Sequence, residues 1–294
     1  MYCYRIVNHI NISGCFMVLF FLQLSGCASI KPNMIIDDSQ IDASLVEFDY
    51  SNYADVLEKY VDDEGLVDYM GLVAKQKELN HFYWQIASVS PDSHPEIFAT
   101  NASKLAYWLN AYNATVLKGV IENYPISSVA DVRILPLAYV FPAKSSFFIL
   151  QRFTYGGKET SLYYLENNVI RARFKDPRIH FALNCASLGC PDLPQKPFAP
   201  EILDDQLDYE TKKFINDTSY LEFNDSESIL YLSSIFSWYK EDFVTRTEDA
   251  SGATLSLVDY VLRYAEPELF KMIERDRHRL RISFREYDWG LNTQ

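Results

Sequence analysis

Cysteine is scarce in this chain: five in 294 residues, at positions 3, 15, 27, 185 and 190. That excludes a fold held mainly by a network of disulfides. No Cys-x-x-Cys pair occurs, so the spacing that marks structural zinc is absent. Positive charge is also short. Lys and Arg number 27 against 40 Asp and Glu, for a formal net charge of −13. A chain this acidic is a poor binder of nucleic acid or anionic lipid through broad electrostatics, and no nucleic-acid partner is expected. There is no internal repeat and no low-complexity tract. What the chain does have is apolar content: 48% hydrophobic and 15% aromatic residues, enough for a packed core.

The one long uncharged apolar stretch lies near the start, from Ile10 to Leu24, after a short segment whose single Lys or Arg is Arg5. It is too short and too soon interrupted for a spanning helix with normal flanks. It ends in Leu24-Ser25-Gly26-Cys27, which resembles the bacterial lipobox. There a peptidase cuts before the cysteine and the thiol carries palmitate-type acyl chains. The expected division is therefore 1–26 signal peptide, 27–45 tether and 46–294 globular domain. Residue 28 is Ala rather than Asp, which in the sorting pattern this resembles favours the outer membrane, with the domain facing the periplasm. Two or three acyl chains anchor far better than one, at about 0.8 kcal/mol per buried methylene. Removing residues 1–26 removes Arg5 and takes the net charge to −14. Cys3 and Cys15 leave with that segment and Cys27 is acylated, so Cys185 and Cys190 are the pair exposed to an oxidising compartment.

Along the remainder, helices are expected over 50–60, 72–88, 96–123, 161–173 (with Ser161 as N-cap), 200–216, 234–243 and 255–264. The residues from 133 to 155, with Pro136 and Pro142, suit irregular strands at a sheet edge. Tyr155-Gly156-Gly157-Lys158 is a hairpin signal, and Asn224-Asp225-Ser226 turns another. Ile179 to Asn184 reads as a short buried strand. The segment 279–288 reads as extended. Asp62-Asp63-Glu64-Gly65 is an acidic turn whose acceptors are wrongly spaced for a calcium loop. The sum is an α+β fold: a mostly helical single domain with a small, largely antiparallel sheet.

Three blocks carry a family resemblance: Tyr107-Trp108-Leu109-Asn110-Ala111-Tyr112-Asn113-Ala114, then Asp176-Pro177-Arg178-Ile179-His180-Phe181-Ala182-Leu183-Asn184-Cys185-Ala186-Ser187-Leu188-Gly189-Cys190-Pro191, and finally Tyr287-Asp288-Trp289-Gly290-Leu291-Asn292. With shorter matches at Ser161 to Arg171 and at Phe236-Ser237-Trp238-Tyr239, they resemble the bacterial and plant family called domain of unknown function 547, over roughly 95–292. The sequence departs at Asn167, where the family commonly has His after Glu. The resemblance implies a fold and a motif, not an activity.

Chemistry must be read from the residues. Asn110 and Asn113 share a helix face. Two amides among apolar neighbours are costly to bury unless partnered. They either line a polar pocket or tie down a neighbouring loop. His180 near Cys185 is the content of a thiol-dependent hydrolase or acyltransferase, with Glu166 or Asn110 to orient the imidazole. Against it stands a disulfide between Cys185 and Cys190, giving a non-catalytic envelope binding or structural module, or a thiol–disulfide protein. His180, Cys185 and Cys190 make only three zinc ligands, and no metal or cofactor is expected. Arg171, Arg173, Lys175 and Arg178 form the one basic cluster, open to an anion or to salt bridges with nearby carboxylates. The anchor itself is testable. Cys27→Ser is expected to leave an unprocessed or soluble protein on membrane fractionation, and unchanged attachment would refute the lipobox.

Overall fold

The computed structural model describes residues 47–133, 144–245 and 256–294. The segments expected as signal peptide and tether, with Cys27, lie outside the described residues, as do positions 134–143. The α+β expectation holds: helices dominate, with a two-stranded and a three-stranded sheet.

Helix α1 (Ser51–Tyr60) buries Tyr53, Val56, Leu57 and Tyr60, the i, i+3, i+4, i+7 stripe of an amphipathic helix. Helix α2 (Tyr69–Ala74) is capped by Asp68, whose side chain accepts from Gly71 N. Helix α3 (Lys77–Ser88) repeats the stripe with Leu79, Phe82, Tyr83 and Ile86. The single helix expected over 72–88 is thus two, broken at Lys75 and Gln76.

Helix α4 (Asn101–Asn123) is the axis of the fold. A reciprocal Thr100–Ser103 capping box starts it, and every residue from Leu105 to Ile121 is buried. In an α-helix covered on all sides a charged side chain needs internal partners. Lys118, 2% exposed, donates from Nζ to Asn80 Oδ1 at 2.8 Å and pairs with Glu122.

After α4, residues 146–150 wind into a π-turn where irregular strands were expected. Strands β1 (Phe153–Tyr155) and β2 (Lys158–Thr160) form the hairpin across Gly156-Gly157, both at positive φ. Ser161 caps α5 (Leu162–Tyr164), its Oγ accepting from Tyr164 N. The chain then passes through a π-turn at Leu165–Ile170 into α6 (Arg171–Phe174). Helix α7 (Leu203–Asn216) follows a long loop. Strands β3 (Leu221–Asn224) and β4 (Ile229–Leu232) pair antiparallel. The stretch expected as one helix over 234–243 divides at Tyr239 into α8 (Ser234–Trp238) and α9 (Lys240–Thr245). Helix α10 (Leu257–Tyr264) is followed by α11 (Pro267–Asp276), which sequence reasoning missed despite Pro267 at a favoured first position. Strand β5 (Arg281–Phe284) then joins β4 in parallel, the one departure from antiparallel pairing among the named strands.

Two apolar clusters result. One gathers α1 to α4 and the 147–207 segments, and the other gathers α7 to α11 with the three-stranded sheet. They interleave at 179–183: Ile179, Ala182 and Leu183 belong to the first and Phe181 to the second. Among the described residues, no helix is long and apolar enough to cross a membrane.

Candidate functional site

The seam between the two clusters holds the candidate residues. Asp176 accepts from Arg178 N at 2.9 Å and Pro177 occupies the first turn, so the chain winds into a 3₁₀ turn over Pro177–Phe181. This corrects the strand expected from Ile179 to Asn184. A short apolar run buried on all sides does not tell strand from helix by pattern alone, and here Asp-Pro decides for the helix.

Asn113 then fixes the backbone beyond that turn. Its Nδ2 donates to Ala182 O at 2.9 Å, and its Oδ1 accepts from Asn184 N at 2.9 Å. Asn184 repeats the device within the loop, donating to Pro191 O and accepting from Ala186 N, each at 2.8 Å. The C-terminal tail closes the other side. Leu188 N donates to Gly290 O at 2.8 Å and Gly189 N to Asp288 O at 2.9 Å. A Cβ on Gly189 would lie 3.0 Å from the Asp288 backbone, so glycine permits this close approach. Asn110, one turn from Asn113, clamps a different loop. Its Nδ2 donates to Phe198 O at 2.8 Å and its Oδ1 accepts from Phe198 N at 2.9 Å. Both asparagines therefore hold loop backbone.

Within the loop the Cys185 and Cys190 sulfurs lie at bonding distance as a disulfide, with Cα atoms 6.0 Å apart, inside the usual range. Cys190 is 5% exposed, whereas Cys185 is half-buried. Cys185 N–H donates to Cys190 Sγ at 2.8 Å. Cys185 Sγ lies 3.0 Å from Tyr287 Oη and 3.1 Å from Ser187 Oγ, and those two hydroxyls are 2.9 Å apart.

His180 belongs to a second group of partners. Its Nε2 is 2.8 Å from Asp242 Oδ2, and its ring stacks on Tyr239 with centroids 4.0 Å apart. Asp242 also accepts from Arg171 Nε at 2.7 Å. Neither Glu166 nor Asn110, the two residues expected to orient the imidazole, does so; that role falls to Asp242. Glu166 instead accepts from Tyr239 Oη at 2.6 Å and Tyr112 Oη at 3.3 Å. Asn167, at the position where His is common in the resembled family, donates to Tyr163 O at 2.9 Å and accepts from Arg171.

The charges follow from burial. Desolvation lowers the His180 pKa below its ordinary 6.5, outweighing the opposing Asp242 contact. The imidazole is thus neutral near pH 7, with Nε2–H donating to the carboxylate and Nδ1 left as the basic nitrogen. Burial pushes the Asp242 pKa up, but hydrogen bonds from His180 and Arg171 outweigh it and hold the carboxyl ionised, below the ordinary range. Desolvation raises the pKa of Tyr112, Tyr239 and Tyr287, with Glu166 adding to each.

The arginines of the basic cluster form ion pairs. Arg171 meets Asp242, Arg173 meets Asp92, and Arg178 meets Asp176, Asp204 and Asp208. Lys175 ends α6 in the left-handed region. Among the described residues, no group of three His, Cys, Asp or Glu side chains is placed to hold a metal ion. Asp242, Tyr239 and Tyr287 were not picked out individually from sequence. Tyr239 and Tyr287 lay inside the recognised blocks, and Asp242 is one turn beyond the first of these.

Residues 98–215 match the model of the family described as protein of unknown function, DUF547. No curated protein matches the chain, and no solved structure does.

Asn113→Ala would leave a buried carbonyl and a buried N–H unpaired, at about 1–3 kcal/mol each. A loss of about 2–6 kcal/mol is expected in urea unfolding. Asn110→Ala should cost a similar amount while leaving thiol access in the 185–190 loop unchanged, as checked by alkylation after mild reduction. Stability should also fall as pH drops below 6.5, because the unfolded chain takes up a proton that folded His180 resists. Asp242 adds loss of the same sign below its ordinary 3.8. His180→Gln should flatten the upper part of this dependence in urea midpoints measured between about pH 8 and about pH 5.

Proposed function

We propose that this chain, whose residues 98–215 match the DUF547 family model, is a lipid-anchored binding module of the bacterial cell envelope, facing the periplasm from the outer membrane and stapled by the Cys185–Cys190 disulfide. The observation that carries this reading is the engagement of Cys185. Its sulfur is at bonding distance from Cys190, while His180 is committed to Asp242 and stacked on Tyr239. A nucleophile needs a free thiolate and a base within reach of it. The oxidised pair offers no thiolate. A groove of about 370 Å³ lies between the start of α4 and residues 200–207, lined by Leu105, Phe174 and Leu207 together with Arg173, Arg178 and Glu201, a volume at the low end for small-ligand sites.

A second reading, a thiol-dependent hydrolase or acyltransferase on Cys185 and His180, is favoured by the His180–Asp242 bond. A buried carboxylate on one ring nitrogen is how a general base is held in one tautomer.

Thiol counting separates the two. The acylated protein is extracted from membranes without reductant, denatured and treated with a maleimide. No labelling at 185 or 190 is the expected result. A native protein in which Cys185 alone reacts rapidly with a chloroacetamide near neutral pH, and loses that speed in His180→Ala, would instead establish the enzyme.

A further inference from the structure

We propose that Cys185 and Cys190 form a thiol–disulfide exchange centre, in which Cys185 is the sulfur that an incoming thiol attacks and Cys190 is the leaving and resolving sulfur. The proposal rests on the oxidised pair of the preceding reading and adds an activity to it.

Exposure differs between the two cysteines. Exchange requires a thiolate to reach one sulfur of the bond. Cys185 is half-buried, whereas Cys190 is 5% exposed. The attacked sulfur is therefore Cys185.

The leaving group has a donor in place. When the bond breaks, its electron pair goes to Cys190 Sγ, which already accepts the Cys185 N–H at 2.8 Å. A hydrogen bond to the anion favours the thiolate and speeds its departure. Cys185 has donors of its own for the fully reduced state, in the Tyr287 and Ser187 hydroxyls at 3.0 and 3.1 Å. Both sulfurs thus meet hydrogen-bond donors as thiolates, a provision that a purely structural crosslink does not require.

The loop is also held without its disulfide. Asn184 ties Ala186 to Pro191, Asn113 fixes 182 and 184, and the tail pairs with Leu188 and Gly189. Backbone contacts on both sides keep the two cysteines near one another after reduction, which an exchange centre needs for resolution.

The chemistry balances with an external thiol as co-reactant. A thiolate forms a bond to Cys185 Sγ as the Cys185–Cys190 bond breaks and Cys190 leaves as thiolate. A second thiolate then attacks the incoming sulfur and releases Cys185. Two thiols are oxidised to one disulfide, their two protons pass to solvent or to the protein thiolates, and the protein disulfide is reduced to a dithiol. The reverse sequence reduces a disulfide substrate to two thiols and restores the protein disulfide.

The test uses the full-length protein and glutathione as probe. Wild type is equilibrated in buffers of varied reduced-to-oxidised ratio, and thiols are counted by mass after alkylation. The single-cysteine variants Cys190→Ser and Cys185→Ser are exposed to oxidised glutathione. Circular dichroism and urea unfolding check that each variant is folded. The expected result is reversible reduction of the native pair, with a mixed disulfide forming at Cys185 in Cys190→Ser about tenfold faster than at Cys190 in Cys185→Ser, as unequal access predicts. Tyr287→Phe in the Cys190→Ser background should move the ultraviolet thiolate absorbance of Cys185 to higher pH. A native pair that stays oxidised in excess reduced glutathione, or equal trapping at both positions, would overturn the proposal while leaving the staple intact. Should the isolated protein carry free thiols, the preceding reading fails first, and the same variants still decide whether exchange runs through Cys185.

Discussion

The carboxamide of Asn113 is the contact on which the arrangement around the 180–191 segment depends. It donates to Ala182 O and accepts from Asn184 N, so one side chain on the central helix fixes the backbone on either side of Leu183. His180 lies just before that point and Cys185 just after it. The position is buried, so neither backbone group has water as an alternative partner. Asn184 and the tail 287–292 then extend the same logic outward, pairing loop amides and carbonyls wherever the turn leaves them unsatisfied. The cost of an unpaired buried group explains why asparagine, with a donor and an acceptor on one planar head, occupies 110, 113 and 184.

Around this frame, polar chemistry divides into two neighbouring groups. One is sulfur with hydroxyls: Cys185, Cys190, Ser187 and Tyr287. The other is a run of alternating charge and aromatic ring: Arg171, Asp242, His180, Tyr239, Glu166 and Tyr112. In the second group a neutral imidazole sits on an ionised carboxylate. Burial disfavours charge on His180, while Arg171 compensates charge on Asp242. The family match covers the segments that supply the asparagines, His180 and both cysteines, but ends before Asp242 and Tyr287. The partners of His180 and Cys185 thus come from chain that the matched region does not include.

Much of this was legible in the residues themselves. The amphipathic stripes of α1 and α3, the long helix α4, the Gly-Gly hairpin and the Ser161 cap each follow from local pattern. So did the recognition that Asn110, Asn113, His180 and Cys185 carry weight, since polar residues in apolar segments must be partnered. Local pattern is less reliable where two local rules compete. The apolar run after Pro177 suits strand or helix equally, and the Asp176–Pro177 start made it a 3₁₀ turn. Helix α11 was overlooked because its stripe buries little.

Partner identity was beyond any local rule. Composition and spacing determined a mostly helical α+β chain, an acidic surface, two cysteines five residues apart and a His ahead of them. Only the tertiary structure decided that Asp242, not Glu166 or Asn110, holds His180, that Asn110 serves a different loop, and that the arginines of the basic cluster pair with carboxylates. The physical reason is range. Helix periodicity, caps and turns are set by contacts within a few residues, whereas His180 and Asp242 are 62 positions apart and Cys185 and Tyr287 are 102. Such pairs form only when the two apolar clusters close over the 177–191 segment.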